Sequence, residues 1–292
     1  KIHVLEPRLI TMSDPLSELL RVAQGKVNLG AIDPAGTPGF EGKKAEGLTA
    51  LAEIGPSLAE LQERLFAGAY TEESNARILV ILQGMDTSGK GGVLKHVIGL
   101  LHPNAIALTS FKKPTAEELR HDFLWRIDKA LPRPGIVGVF DRSHYEDVLV
   151  ARVHELADRA EIERRYDAIN QWEQALVDDG CVVIKCMLHM SEAEQRERLL
   201  ARLEDPTKQW KFKPNDVDER QLWSAYQSAY EIALERCNTQ AVPWHVVPSD
   251  RKWYRNWAIG RLVLEALESL DLQWPAPDYD VAAQKQRLLG QA

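Results

Sequence analysis

Residues 78–92 constrain the fold more than any other stretch. Ile78-Leu79-Val80-Ile81-Leu82 is an unbroken apolar run, and it leads into Gly84-Met85-Asp86-Thr87-Ser88-Gly89-Lys90-Gly91-Gly92. Five apolar residues without polar alternation describe a strand covered on both faces. Gly84-x-x-x-x-Gly89-Lys90 fits most of the pattern of a loop whose backbone N–H groups converge on phosphate oxygens, with a helix start behind them. Gly84, Thr87, Ser88, Gly89, Lys90, Gly91 and Gly92 are therefore candidate phosphate-binding positions. Lys90 would add a point charge where phosphoryl charge develops. A lysine at the mouth of such a loop is expected to be exposed without ligand, so its removal should leave the fold intact. A chance glycine turn is the alternative, and the strand-loop-helix context weighs against it. Gly91 stands where Ser or Thr would ligate magnesium, which makes Asp86, inside the loop, the substitute ligand; its other reading is a turn-forming Asp.

Around this loop, short apolar runs alternate with helical spacing. Leu51, Ile54, Leu58, Leu61 and Leu65 predict an amphipathic helix over residues 48–67. Further strands are predicted at 105–111, 135–140, 181–188 and 242–247. Helices are predicted at 92–101, from a capping box at Thr115 to Pro132, and at 145–156, 161–177 and 253–270, with Ser191 capping another. Continuous apolar strands separated by helices imply a parallel five-stranded sheet with helices on both faces. Residues 1–47 are rich in Gly, Pro, Asp and Lys and read as an extended segment packed on the body. Residues 48–274 form one domain, and residues 275–292 a tail with a short helix.

A second signal ends the third strand. Phe140-Asp141-Arg142-Ser143 places a carboxylate where open α/β sheets bind ligands, in the position of a Walker-B acid. Asp141 joins Asp86 as a candidate magnesium ligand; capping the next helix is its alternative role. Arg142 offers a fixed guanidinium to phosphate oxygens. A third signal is the basic break between two helices, residues 196–220, with Arg196, Arg198, Arg202, Lys208, Lys211, Lys213 and Arg220 around Asp205-Pro206 and Pro214. That is the composition of a mobile lid over phosphates, or of a solvated loop with ordinary surface lysines. Arg126 either reaches a phosphate or pairs with Asp122 one turn back. Trp223, Tyr226 and Tyr230 form a helical stripe that reads as core. Trp210 either stacks a base or packs a closed lid. The histidines show no metal-ligand spacing.

Composition narrows the function class. A formal charge of -7 argues against nucleic acid as a partner, so any anionic ligand must be met by a local cluster of cations. Three cysteines, Cys181, Cys186 and Cys237, form no Cys-x-x-Cys pair and imply buried thiols in a reducing, cytoplasmic setting. The first residues lack the apolar core of a signal peptide, and no run approaches the roughly 18 residues of a membrane span.

Together the loop, Phe140-Asp141-Arg142-Ser143-His144-Tyr145-Glu146-Asp147 and Asp205-Pro206-Thr207-Lys208-Gln209-Trp210-Lys211-Phe212 resemble the polyphosphate kinase 2 family. So do His121-Asp122-Phe123-Leu124-Trp125-Arg126 and Asp250-Arg251-Lys252-Trp253-Tyr254, and the resemblance runs from about Asp33 to Leu270. It implies a thymidylate kinase-like P-loop fold with a helical lid. It implies phosphoryl transfer between inorganic polyphosphate and adenine nucleotides, with guanine as an alternative base. Magnesium, or manganese in its place, would sit near Asp86 and Asp141. Lys90, Arg142 and Arg202 would contact phosphates, with Arg126, Lys208, Lys211 and Lys213 as further candidates. The protein would be a homodimer or homotetramer. The Tyr145-Glu146-Asp147 run and the leader at 33–40 look most like the subgroup accepting both AMP and ADP, although many of its members carry Asn at the position of Asp141. The competing readings are an ATP-dependent kinase of a nucleotide or small metabolite, and a nonenzymatic nucleotide-binding module. A Ser or Thr after Lys90 would have favoured the first, and a degraded loop the second.

Overall fold

The computed structural model describes residues 14–291; readings of residues 1–13 and of Ala292 lie outside it. The strands are β1 Arg77–Gln83, β2 Ile106–Ser110, β3 Val137–Asp141, β4 Cys181–His189 and β5 Trp244–Pro248. They form one sheet in the order β2-β3-β1-β4-β5, with every pairing parallel. All seven residues of β1 are buried. Alternate residues serve two cores: Ile78, Val80 and Leu82 on one face, Leu79 and Ile81 on the other, as the two-residue period of a strand requires.

The helices are α1 Leu16–Leu20, α2 Lys44–Tyr70, α3 Lys90–His96, α4 Trp125–Asp128, α5 Val150–Val153 and α6 Arg159–Asp178. They continue with α7 Glu192–Glu204, α8 Asn215–Gln221, α9 Trp223–Arg236, α10 Lys252–Glu268 and α11 Val281–Leu289. Residues of α2 and α10 build the first core, and residues of α6 and α9 the second. Because β1 has β3 on one side and β4 on the other, the chain reverses its direction of winding beside β1. Ligands bind at the carboxyl ends of strands at such a point, and the glycine loop lies there. No helix of the described residues is long and apolar enough to cross a membrane.

Three helix expectations change. The Thr115 capping box forms, with Thr115 N donating to Glu118 (2.7 Å) and Glu118 N to Thr115 (3.2 Å). It opens only a single 3-10 turn, because His121 is extended and Asp122 caps Leu124 N to start α4 separately. The segment after β3 is likewise a 3-10 turn, His144–Asp147, followed by the four-residue α5. Ser143 caps that turn, and β-branched Val148, Val150 and Val153 favour helix weakly. The helix behind the glycine loop starts at Lys90 and gives way after His96 to a 3-10 turn at Ile98–Leu100. Ser191 caps α7 as expected, accepting from Glu194 N at 3.1 Å.

Carboxylates of the body hold the leader. Glu265 accepts from Leu16 N and Ser17 N, Glu235 from Val27 N, and Glu231 from Leu29 N, each at 2.9 Å. Val22 N donates to Trp244 O (2.8 Å) along the outer edge of β5. The three thiols are free and buried; burial pushes Cys181 up to about 11, and Cys186 and Cys237 up to about 12.

Candidate active site

The loop after β1 turns sharply at Thr87 (φ 66) and Gly89 (φ 111). Ser88 N bonds Met85 O, and Gly92 N and Val93 N bond Gly89 O. The N–H groups of Thr87, Gly89, Lys90 and Gly91 have no acceptor among the described residues. Successive free N–H groups on such a turn form a concave anion site. Ser88 contributes less than expected: its side chain is fully buried and its N–H is already engaged, so it shapes the loop rather than facing a ligand. The N–H of Gly92 is likewise engaged.

Lys90 also departs from expectation. It is buried, and its Nζ donates to Gly84 O (2.8 Å) and more weakly to Met85 O (3.4 Å). Burial, then Arg142, draw its pKa below the ordinary lysine value, against the pull of Asp86, Asp141 and Glu146. Its removal would therefore leave two carbonyls without their donor.

Two arginines hold the loop from behind. Arg198 of α7 donates to Thr87 O (2.9 Å) and Ser88 O (3.1 Å), and its other nitrogen reaches Ser249 O and Asp250 O. Arg255 of α10 donates to the same Ser88 O at 3.1 Å. A Cβ on Gly89 would lie 1.7 Å from Arg255 Nη1, and one on Gly92 2.5 Å from Nη2, so these glycines admit the guanidinium. Burial, then the charge of Arg198, bring Arg255 down to about 9. A Cβ at Gly91 meets nothing within 4 Å, so space does not exclude a Ser or Thr there. Sequence reasoning missed the Arg255 anchor and placed Arg198 among the lid cations. Arg255 directly follows the Asp250–Tyr254 motif, the one signal that pointed toward it.

Opposite the loop, β3 ends at Asp141, and Arg142 takes φ 66. A non-glycine residue held there is a strained element, of a kind that clusters at functional sites. Arg142 donates to Asp86 Oδ1 (2.6 Å) and Glu146 Oε2 (2.8 Å). Burial works against its charge, yet Glu146 and Asp86 carry its pKa above the ordinary arginine value. For Asp86, burial favours the neutral acid, but Arg142, Lys90 and Arg202 outweigh it and hold the carboxylate below its usual range. Asp141 Oδ1 is buried without a hydrogen-bond partner, while Oδ2 accepts from Ser110 Oγ at 3.4 Å. A buried, unpartnered carboxylate oxygen beside a phosphate loop suits a hard divalent cation. Among the described residues no group of three or more His, Cys, Asp or Glu is arranged to hold a metal. Magnesium commonly needs only one or two carboxylates plus substrate phosphates, so the residues present fit it.

A buried ionic cluster sets the turn after Arg142. His144 and Tyr145 both approach Glu173 Oε1, at 3.3 and 2.7 Å. Lys185 Nζ donates to Glu173 Oε2 (2.6 Å), Tyr145 Oη (2.9 Å) and Cys237 O (2.6 Å). Glu173 and Lys185 were not singled out from sequence; one lies in a helix and the other in an otherwise apolar strand.

The remaining candidates separate. Arg202 is partly buried, 3.9 Å from Asp216, and close enough to act on Asp86. Lys208 pairs with Asp205 at 2.5 Å, and Lys211 lies over the exposed Trp210 ring at 5.1 Å. Among the described residues no hydrogen bond or ion pair joins Lys208, Lys211 or Lys213 to the loop. Arg126 bonds Lys112 O (2.9 Å) and Asp147 (3.3 Å), not Asp122, which pairs with Arg164. Tyr226 and Tyr230 belong to the second core, as read, but also face the loop across a space lined by Asp86, Arg142, Asp216 and Glu219. That space is about 40 Å³, below the roughly 300 Å³ of a small-molecule pocket. A space of that size holds no nucleotide unless it widens.

Free loop N–H groups, an adjacent lysine and an arginine held between carboxylates are suited to moving phosphoryl groups, and the fold places the chain among the P-loop kinases. The profile described as Polyphosphate kinase 2 (PPK2) matches residues 42–275. The crystal structure of Polyphosphate Kinase 2 from Arthrobacter aurescens TC1 superimposes with a TM-score of 0.92 at 49% identity, covering 96% of this chain and 99% of that one. AMP/ADP-polyphosphate phosphotransferase of Meiothermus ruber is 42% identical over 254 residues, 87% of this chain and 93% of the relative. ADP-polyphosphate phosphotransferase of Rhodopseudomonas palustris is 37% identical over 268 residues, 87% and 91% of the two chains. The chain belongs to the polyphosphate kinase 2 family.

Proposed function

We propose that this protein transfers a phosphoryl group between inorganic polyphosphate and AMP or ADP, running toward nucleotide phosphorylation. The observation that carries the reading is the set of free N–H groups of Thr87, Gly89, Lys90 and Gly91 in a loop whose Asp86 is ion-paired to Arg142, itself paired to Glu146, in a chain of this family. The acceptor phosphate oxygen is already ionised near neutral pH, so the transfer needs no general base. A new P–O bond forms to the terminal phosphorus of the chain, and the phosphoanhydride to the next phosphate breaks, leaving a chain one unit shorter. Catalysis then rests on position and charge. In this reading the loop N–H groups and Lys90 hold phosphate oxygens, and Arg142, released from Asp86, bridges donor and acceptor. Arg202 approaches from the lid. Magnesium, or manganese, on Asp86 and Asp141 would neutralise phosphate charge. Arg126, Lys208, Lys211 and Lys213 extend the phosphate contacts. The machinery lies in residues 48–274 with a lid at 196–220, in a cytoplasmic homodimer or homotetramer. Guanine nucleotides are alternative acceptors.

An ATP-dependent kinase on the same scaffold is the second reading, since fold does not decide function. The test incubates the protein and magnesium with AMP or ADP, with polyphosphate or ATP as donor, and resolves the nucleotide products. Formation of ADP and ATP from polyphosphate supports the proposal. Inert polyphosphate alongside ATP-driven transfer to another acceptor would reject it.

A further inference from the structure

Ser88 O is where the two arginines behind the glycine loop meet, Arg198 and Arg255 each donating to it at 3.1 Å. This peptide is trans, so its C=O and its N–H point in opposite directions. The N–H that shares it belongs to Gly89, one of the four with no acceptor among the described residues. The arginines therefore aim that N–H away from themselves, toward the open face of the loop, and bonds to its carbonyl strengthen it as a donor. The guanidinium of Arg255 lies against the back of the same turn, in the room that a Cβ on Gly89 or Gly92 would take.

The two cations differ in what balances them. Arg198 donates to the carboxylate of Glu194 at 2.7 Å. Arg255 is buried and makes no ion pair among the described residues. Where a carboxylate would sit, its Nε and Nη2 donate to the amide oxygen of Asn256, at 3.2 and 2.9 Å. Burial and the repulsion of Arg198 both act against its charge, and no attraction offsets them. A buried cation without a partner is costly to a fold.

We propose that Arg255 is a positioning residue whose missing counter-charge is the phosphate bound on the other face of the loop: it aims the Gly89 N–H and supplies positive potential through the backbone of residues 89–92. The inference rests on the function proposed above and deepens it, since the site is charged from behind before any ligand arrives. Salt screens a buried guanidinium much less than an exposed lysine. The arrangement also accounts for glycine at both 89 and 92, because a Cβ at either would displace the guanidinium. The ligand-free protein bears the unbalanced charge and the phosphate relieves it, so binding and stability are linked.

The test is Asn256→Asp, which keeps the shape and both hydrogen bonds but sets a carboxylate beside Arg255. Asn104→Asp is the control for added negative charge: Asn104 is exposed just before β2, at the opposite end of the sheet from the loop. Tripolyphosphate binding is measured by calorimetry without nucleotide, and the melting temperature is measured with and without tripolyphosphate. In Asn256→Asp the affinity should fall about tenfold, within the range usual for two coupled sites. The ligand-free variant should melt no lower than the wild type and gain less from tripolyphosphate. The control should match the wild type in both. A merely structural Arg255 keeps its hydrogen bonds in Asn256→Asp, so unchanged affinity would overturn the proposal. A lower ligand-free melting temperature or loss of folding in Asn256→Asp would do the same, since the carboxylate is held to relieve the buried charge. So would an equal loss of affinity in the control. If the wild type binds tripolyphosphate more tightly than Asn256→Asp but transfers nothing from polyphosphate, the inference stands and the proposed function fails. A wild type that binds no tripolyphosphate would overturn both.

Discussion

The cradle around the glycine loop and the basic segment at 208–213 use the same residue types in opposite ways. In the cradle, Arg198, Arg255 and Lys90 are buried and donate to loop carbonyls, and behind the Arg142 turn that adjoins it Lys185 is buried against Glu173. In that segment Lys208, Lys211, Lys213 and Trp210 are exposed, and Lys208, Lys211 and Trp210 contact neighbours within a few residues. Arg198 and Lys208 come from one basic stretch, yet the first is buried against loop carbonyls and the second is exposed beside Asp205. Burial and partner, not sequence spacing, set the difference. The two regions should respond differently to substitution.

The largest effect is expected in the cradle. Glu173→Ala leaves Lys185 buried without its carboxylate, and breaking a buried pair in this way costs about 3–5 kcal/mol. Thermal denaturation should show a fall of roughly 10 °C, with loss of turnover because His144 and Tyr145 no longer fix the turn behind Arg142. A change of only a degree or two would mean that the cluster does not set the cradle.

Acid should expose the same side. Burial lowers the pKa of His144 and His189, and takes His245 from 6.5 to about 4. Between the unfolded and folded values the unfolded chain binds the additional proton, so stability is lost as pH falls from about 6.5 toward 4. His245 alone accounts for about 3 kcal/mol by that linkage. Glu173 acts in the same direction at lower pH: burial opposes its charge, but Lys185 and His144 bring it below 4.5, so its contribution is lost as pH falls through that lowered value. Denaturant melts at several pH values should show a midpoint that declines across this window and flattens in His245→Gln. A midpoint independent of pH from 6.5 to 4 would contradict the assignment of buried neutral histidines.

The smallest effect on stability belongs to the lid. Lys208→Glu with Lys211→Glu should leave the melting temperature within a degree or two, because surface pairs contribute little. It should raise the KM for polyphosphate several-fold, more steeply at low salt. A fall in stability comparable to that of Glu173→Ala would erase the distinction between lid and cradle.

Much of this architecture was legible in the sequence. Apolar runs located the strands because a doubly covered parallel sheet leaves no polar alternation, and the glycine loop announced itself through its spacing. The Thr115 capping box shows where local signals fail: its hydrogen bonds form as read, yet one turn later His121 is extended, and tertiary bonds from Arg126 to Lys112 O and Asp147 take over. Within the site, Asp86 and Arg142 were legible one by one, but their 2.6 Å contact joins residues 56 apart in the chain. The convergence of Arg198 and Arg255 on Ser88 O was not legible, because each looks in sequence like any helix arginine. Lys90 was read as exposed and is buried, since its carbonyl partners appear only when the loop closes on itself.

Phosphoryl transfer from polyphosphate at this loop is tested most directly by a single-turnover measurement with ³²P-labelled polyphosphate, magnesium and ADP in the wild type and in Lys90→Met. The side chain of the variant is close in length but lacks the charge and the donors. Folding is checked first, since two loop carbonyls lose their partner. Label should appear in the terminal phosphate of ATP for the wild type, with a loss of about a hundredfold or more in the folded variant, a size typical for removal of one transition-state donor. Undiminished labelling by a folded Lys90→Met protein would contradict transfer at this loop.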